Sequence, residues 1–177
     1  TSLYEEAFSK HGQTVELFAV LEISGSAGNL IKQRKVEYEK LFQILVSAVK
    51  RTYVASPNLQ EDTFEKALTA INAALSRLMS KGRVDWYGKL NAAVGVLWQN
   101  QLMVSTTGNA IVYLVRNREW MLLSEGLSQE IRPVKIFTNY ASGRVASVDR
   151  VMLSSKQLFN YLSLDRLREF LEEDSLA

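Results

Sequence analysis

The sequence contains no cysteine, which removes disulfides, thiol catalysis and thiolate metal sites together. It contains a single histidine, His11. That excludes multi-histidine zinc sites and argues against a Ser-His-Asp triad. No hydrophobic run is long enough to cross a bilayer; the longest, Ala92 to Trp98, is far too short. The start, Thr1 to Glu6, is polar and acidic and carries no cleavable signal. Basic residues are dispersed and the net charge is only +2, so there is no footprint for nucleic acid. Gly25 and Gly28 lie in a small-residue stretch, but no Gly-Lys-Ser/Thr follows, so it is not a P-loop. Internal repeats and low-complexity segments are absent.

What is present reads as one globular domain spanning residues 1–177. Hydrophobic residues make up 47% and charged residues 23%, enough to bury a sizeable core. The chain does not begin with methionine, so it is expected to be a piece of a longer one. A cytoplasmic location is expected, whether alone or as the cytoplasmic part of a larger protein.

Along the chain, Leu17 to Leu21 is a short apolar run that reads as a buried strand, and Glu22 to Asn29 reads as a loop. The spacing of Leu30, Ile31, Tyr38, Leu41, Phe42, Leu45, Ala48 and Val49 predicts a helix over about 30–52. Arg34 intrudes on that face and reads as a stem packed on the core with its head in solvent. After a break at Ser56-Pro57-Asn58, a second helix is expected over 61–80. Its stripe is Phe64, Ala67, Leu68, Ile71, Leu75 and Leu78, and Lys81-Gly82 ends it. From Lys89 the period becomes that of strands, at 90–98, 102–106, 110–116 and 120–124. Hairpin-length turns at Gln99-Asn100-Gln101, Thr107-Gly108-Asn109 and Asn117-Arg118-Glu119 make this an antiparallel meander. Further strands are expected at 134–138 and 150–154. A terminal helix is expected after Ser163 as N-cap, with Leu164, Leu167, Phe170 and Leu171 as its apolar face. Strands, then helices, then strands make the class α+β.

Three segments together resemble the metal-dependent (PPM-type) serine/threonine protein phosphatases. Phe18 to Ser26 resembles the family's strand "lfaVaDGhGG". Leu102 to Asn117 resembles its hairpin "l.vaNvGDSRayLlRdg". Ser142-Gly143-Arg144 with Asp149 to Ser163 resembles "sG.l..GD.lLLcSDGLwdyls". The resemblance covers nearly the whole chain and implies an α-β-β-α sandwich of two antiparallel sheets flanked by helix pairs. The family's closing motif and last strand have no counterpart before Ala177.

The family's chemistry uses paired divalent ions that share a carboxylate and activate water. Such ions need carboxylate oxygens in near-ideal geometry. The resemblance places the bridging Asp at Glu22, a following Gly at Ile23, the "DSR" at Asn109-Ala110-Ile111, and a further metal Asp at Lys156. Glu6, within Tyr4 to Phe8, falls on another metal Asp. The metal site is therefore expected to be degenerate at Glu6, Glu22, Ile23, Asn109 and Lys156, with Gly25 and Gly108 in its loops. Glu6 and Glu22 remain as weak metal candidates. Each has an ordinary reading too: Glu22 as an acid at a helix entrance, Gly108-Asn109 as a tight turn, Lys156 as a surface lysine. His11, beside Gly12, reads as an exposed hairpin residue, and Trp86, Tyr87, Trp98 and Trp120 as core or sheet-face residues.

The function expected is a catalytically inactive phosphatase-like domain that acts by binding, as a regulatory or scaffolding module in signalling. No cofactor is expected. The partner is a protein or other domains of the parent chain, not nucleic acid and not a membrane. A divergent active phosphatase, using Mg²⁺ or Mn²⁺ on Glu6 and Glu22, is one alternative. An oligomerisation module, with a partner strand on an open sheet edge, is another.

Overall fold

In a computed structural model, residues 1–25, 31–127 and 135–173 are described, without the side chains of 31–35 and 171–173. The readings for Leu30, Ile31, Arg34, Gly28 and Leu171 lie outside these, as does residue 134 of the expected strand.

The chain opens on a hairpin. Strand β1 (Ser2–Lys10) pairs antiparallel with β2 (Gln13–Ile23) through His11 and Gly12, with φ of 52° and 73°. Helices α1 (Ile31–Ala55) and α2 (Glu61–Ser80) follow, within three residues of the boundaries their apolar spacing predicts. Then come β3 (Leu90–Trp98), β4 (Gln101–Thr107), β5 (Ala110–Arg116), β6 (Glu119–Leu122), β7 (Ala141–Arg144) and β8 (Arg150–Ser155). A single 3-10 turn at Lys156–Asn160 leads to α3 (Leu164–Glu173). The Ser163 hydroxyl accepts the backbone N–H of Arg166 at 3.3 Å, as an N-cap does.

The meander expected from β3 to β6 does not form. β3 and β4 belong to a five-stranded sheet, β1-β2-β3-β4-β7, whereas β5 and β6 belong to a three-stranded one, β6-β5-β8. Two-residue turns with positive φ close β3–β4 (Gln99, Asn100) and β5–β6 (Asn117, Arg118), as twisted hairpins require. Thr107-Gly108-Asn109 instead carries the chain from one sheet to the other. Gly108 has φ +63°, and a Cβ there would sit 2.3 Å from the Leu90 carbonyl oxygen and 2.6 Å from Asn91 Oδ1. Only glycine fits this crossing.

The strand expected at 134–138 is also absent over 135–138. A side chain replaces the ladder. Asn72 on α2 accepts the Ile136 and Phe137 N–H groups, each at 3.0 Å, and donates to the Phe137 carbonyl at 2.7 Å. With these backbone groups satisfied, no neighbouring strand is needed.

The core has two layers. One lies between the helix pair and the larger sheet, where Leu41, Leu45, Val49, Phe64, Ile71 and Leu75 meet Val15, Leu17, Leu21, Val94 and Val96. The other lies between the sheets and is smaller: Val20, Ala93, Leu102 and Val104 against Ala110 and Val112. Because strand side chains alternate, even-numbered β2 residues face the second sheet and odd-numbered ones face the helices. β8 lies across from β2 and β3, and β5 across from β3 and β4. β1 therefore overhangs the smaller sheet.

Candidate functional site between the sheets

Alternation decides which acids share a space. Glu22 is on the inter-sheet face of β2, at the end where the chain crosses between sheets. Its Oε2 accepts the hydroxyl of Ser155 on β8 at 2.6 Å. Its Oε1 is buried and accepts no hydrogen bond among the described residues. Asn91, paired with Glu22 in the ladder and 4% exposed, holds the same corner. It accepts the Asn109 N–H at 2.8 Å and donates to Ser24 Oγ at 2.7 Å. Thr106, on the inter-sheet face of β4, is fully buried with its hydroxyl unpartnered among the described residues.

Glu6 is on the opposite face of the same sheet. It pairs with Leu17 in the ladder and reaches Lys50 on α1, Nζ to Oε1 at 2.5 Å. Tyr4 donates its hydroxyl to the same carboxylate. The Lys50 hydrogen bond, then the Tyr4 one, hold the Glu6 carboxyl below the usual range, while partial burial and that neighbouring carboxylate push the Tyr4 phenol up to about 12. Glu6 and Glu22 thus point away from each other across a sheet, and the expectation that both could hold one ion is corrected.

Lys156 is corrected as well. Its side chain is exposed, and its backbone N–H donates to the Asn109 carbonyl at 2.9 Å. The residue that meets Glu22 is its neighbour Ser155. Ser155 ends β8 facing Glu22, and Lys156 opens the 3-10 segment that leads the chain away. Ile23 is buried on the helix side, 8% exposed. Asn109 is exposed and is held through its backbone. Gly25, with φ +78°, has no atom of the described residues within 4 Å of where a Cβ would stand, so its positive φ serves the turn. The site thus gathers Glu22 with Gly108 and Asn109. It adds Asn91 and Ser155, which the sequence pattern did not single out. An asparagine inside the apolar run 90–98 was the available signal.

Among the described residues one carboxylate, the hydroxyls of Ser155 and Ser24 and one carboxamide meet here, with Asn91 and Ser155 already committed to protein partners. Among the described residues no group of three or more His, Asp or Glu could hold a metal. A pair of hard divalent ions needs several carboxylates, and this donor set does not fit one.

Solved structures of similar shape give the fold its name. The catalytic domain of serine/threonine protein phosphatase PstP, in complex with two manganese ions, matches at TM-score 0.61 and 14% identity. The match covers 95% of this chain and 77% of that one. The serine/threonine phosphatase of S. agalactiae matches at TM-score 0.58 and 14% identity, over 94% and 78%. PppA of Pseudomonas aeruginosa matches at 0.57 and 14%, over 93% and 75%. The chain has the PPM-type serine/threonine phosphatase fold. No protein-family model and no curated protein matches its sequence. In this phosphatase fold the chain places Glu22 between its sheets and turns Glu6 and Lys156 away from it.

Proposed function

We propose that this phosphatase-like domain is catalytically inactive and works as a regulatory or scaffolding module, binding a partner protein or other domains of the parent chain. The observation that carries the reading is the isolation of Glu22. It is the one acid that the described residues gather at the inter-sheet corner, and its Oε2 is already taken by Ser155. Glu6 is neutralised by Lys50 on the far face. Water activation on a metal pair needs a shared carboxylate with several more around it, and hydroxyls and amides do not replace their charge. A cytoplasmic setting is part of the proposal; no described helix is long and apolar enough to cross a membrane.

The experiment is phosphate release from a phosphoserine peptide in Mn²⁺ and in Mg²⁺, comparing the wild type with Glu22→Ala. The expected outcome is the same background release for both. Metal-dependent turnover that Glu22→Ala and EDTA both abolish would overturn the proposal.

A further inference from the structure

The outer seam of the helix pair is a groove walled by cations and small residues. Ala48, Arg51 and Ala55 stand at helical spacing on α1, and Lys66, Ala70 and Arg77 on α2. The groove has a volume of about 630 Å³. Three cations line it and no acid does. All three are exposed, and none forms a salt bridge among the described residues. The α1 wall begins at Ala48, about 25 Å along the helix from its start at Ile31.

The acids of the helix pair are engaged elsewhere. Glu61 and Glu65 share the flank of α2 turned from α1, where they accept the hydroxyls of Ser142 and Tyr140. Asn72, on that flank too, holds residues 136 and 137. Asp62 opens onto a different groove, beside Arg144. On α1, it is Lys50 and not Arg51 that meets Glu6. The two arginines are also held in place. Arg51 Nε donates to the Ser47 carbonyl at 3.1 Å, and Arg77 Nε to the Ala73 carbonyl at 3.2 Å. Each head thus leans toward the start of its own helix. The helices run antiparallel, with Ser56 after α1 touching Thr63 in the first turn of α2 at 2.9 Å. Arg51 and Arg77 therefore stand toward opposite ends of the seam and lean toward its middle. A guanidinium already held loses less freedom when it takes up an anion.

Charge and shape narrow the occupant. Lys66 and Arg77 are three turns apart, about 16 Å along α2. A single phosphate meets such a row at one point, whereas carboxylates along a partner helix match its length. Ala48, Ala55 and Ala70 leave room between the cations for another helix to come close, and helices pack along such seams at small crossing angles. We infer that this groove takes an acidic α-helix of a partner protein, with small residues facing Ala48 and Ala70 and Asp or Glu along its edges. The α3 helix of a second copy fits poorly, because it would bring Arg166 and Arg168 toward the same cations. An acidic helix would be the partner in the binding role proposed above, on which this inference rests.

The test titrates the whole chain with labelled alanine-based peptides of about 20 residues, long enough to hold a helix, read by fluorescence anisotropy. One carries glutamates at i, i+4, i+7 and i+11, a second carries lysines there, and a third is the first with a central proline. The glutamate helix is expected to bind roughly tenfold more tightly than either control at low salt, and to weaken as salt is raised. Arg51→Glu with Arg77→Glu, both at exposed positions, is expected to abolish its binding and to admit the lysine helix instead. Lys66→Glu alone is expected to weaken the glutamate helix severalfold, whether or not the double variant folds. Equal binding of the glutamate and lysine helices overturns the inference, as does equal binding of the proline peptide. So does an uncharged peptide with one phosphoserine that binds more tightly than the glutamate helix. Cosedimentation with phosphatidylserine vesicles, or self-association, that is lost in the double variant also overturns it, in favour of a membrane or a second copy. Metal-dependent turnover in the phosphatase assay would instead overturn the reading beneath it, whatever the peptides do.

Discussion

Asp149 has two partners and one role. Its carboxylate accepts Arg116 Nε at 3.0 Å and Nη2 at 2.5 Å, and the Ala146 N–H at 2.7 Å. Its side chain is 1% exposed. The Arg116 hydrogen bond, then the one from Ala146, hold its pKa down at about 2, and the same pair raises that of Arg116. An unfolded aspartate titrates near about 4. The folded pKa is depressed, so the stability it contributes is fully present above about pH 4 and is lost as pH falls toward 2. Denaturant melts across that window should show the wild type weakening with acid more steeply than Asp149→Asn. Parallel pH dependence of the two would contradict this. Gly108 belongs to the same scale. Gly108→Ala forces a Cβ onto the Leu90 carbonyl at positive φ, and the expected loss is on the order of 2 kcal/mol in a urea melt.

Elements here are finished by groups outside them. α1 has no basic residue in its last turn; Lys10 at the end of β1 supplies it. Lys10 Nζ donates to the carbonyls of Tyr53 at 2.7 Å, of Val54 at 2.5 Å, and of Ser56. A cation at a helix C-terminus opposes the dipole and satisfies orphan carbonyls. Lys10→Met is expected to cost about 1 kcal/mol, seen as a lower midpoint in urea. Asn72→Ala removes all three hydrogen bonds to Ile136 and Phe137, which are 6% and 2% exposed. That leaves buried backbone unpaired at a cost of roughly 2–3 kcal/mol, measurable in the same melt.

Long periodic elements were legible in the sequence for the same reason these devices were not. α2 begins at Glu61 and ends at Ser80, and β3 and β5 run over 90–98 and 110–116, as their spacing predicts. Their boundaries follow from local apolar period and local turns. The clamp by Asn72 spans 65 residues of sequence, and no local pattern carries it. Thr107-Gly108-Asn109 has the composition of a hairpin turn, and only the Asn91 side chain and the Leu90 carbonyl tell it apart. The site suffered the same way. Lys156 and Ser155 are adjacent, and the end of β8 falls between them, leaving Ser155 to face Glu22.

At the scale of the molecule, a five-stranded sheet lies over a three-stranded one, with the helix pair on the outer face of the larger sheet. The larger core layer is the helix-side one, so Leu45→Ala or Ile71→Ala, both fully buried, is expected to cost about 2–5 kcal/mol. The inter-sheet layer is thin, with a polar corner at Glu22. Among the described residues that corner has one gathered carboxylate, with Glu6 held to α1 behind the sheet. The proposed function comes down to a phosphatase fold with no acid cluster among the described residues able to hold two divalent ions. Isothermal calorimetry with Mn²⁺ on the wild type tests it most directly. No saturable two-site binding is expected, and no difference between wild type and Glu22→Ala. Two saturating sites in the wild type that vanish in Glu22→Ala would contradict it.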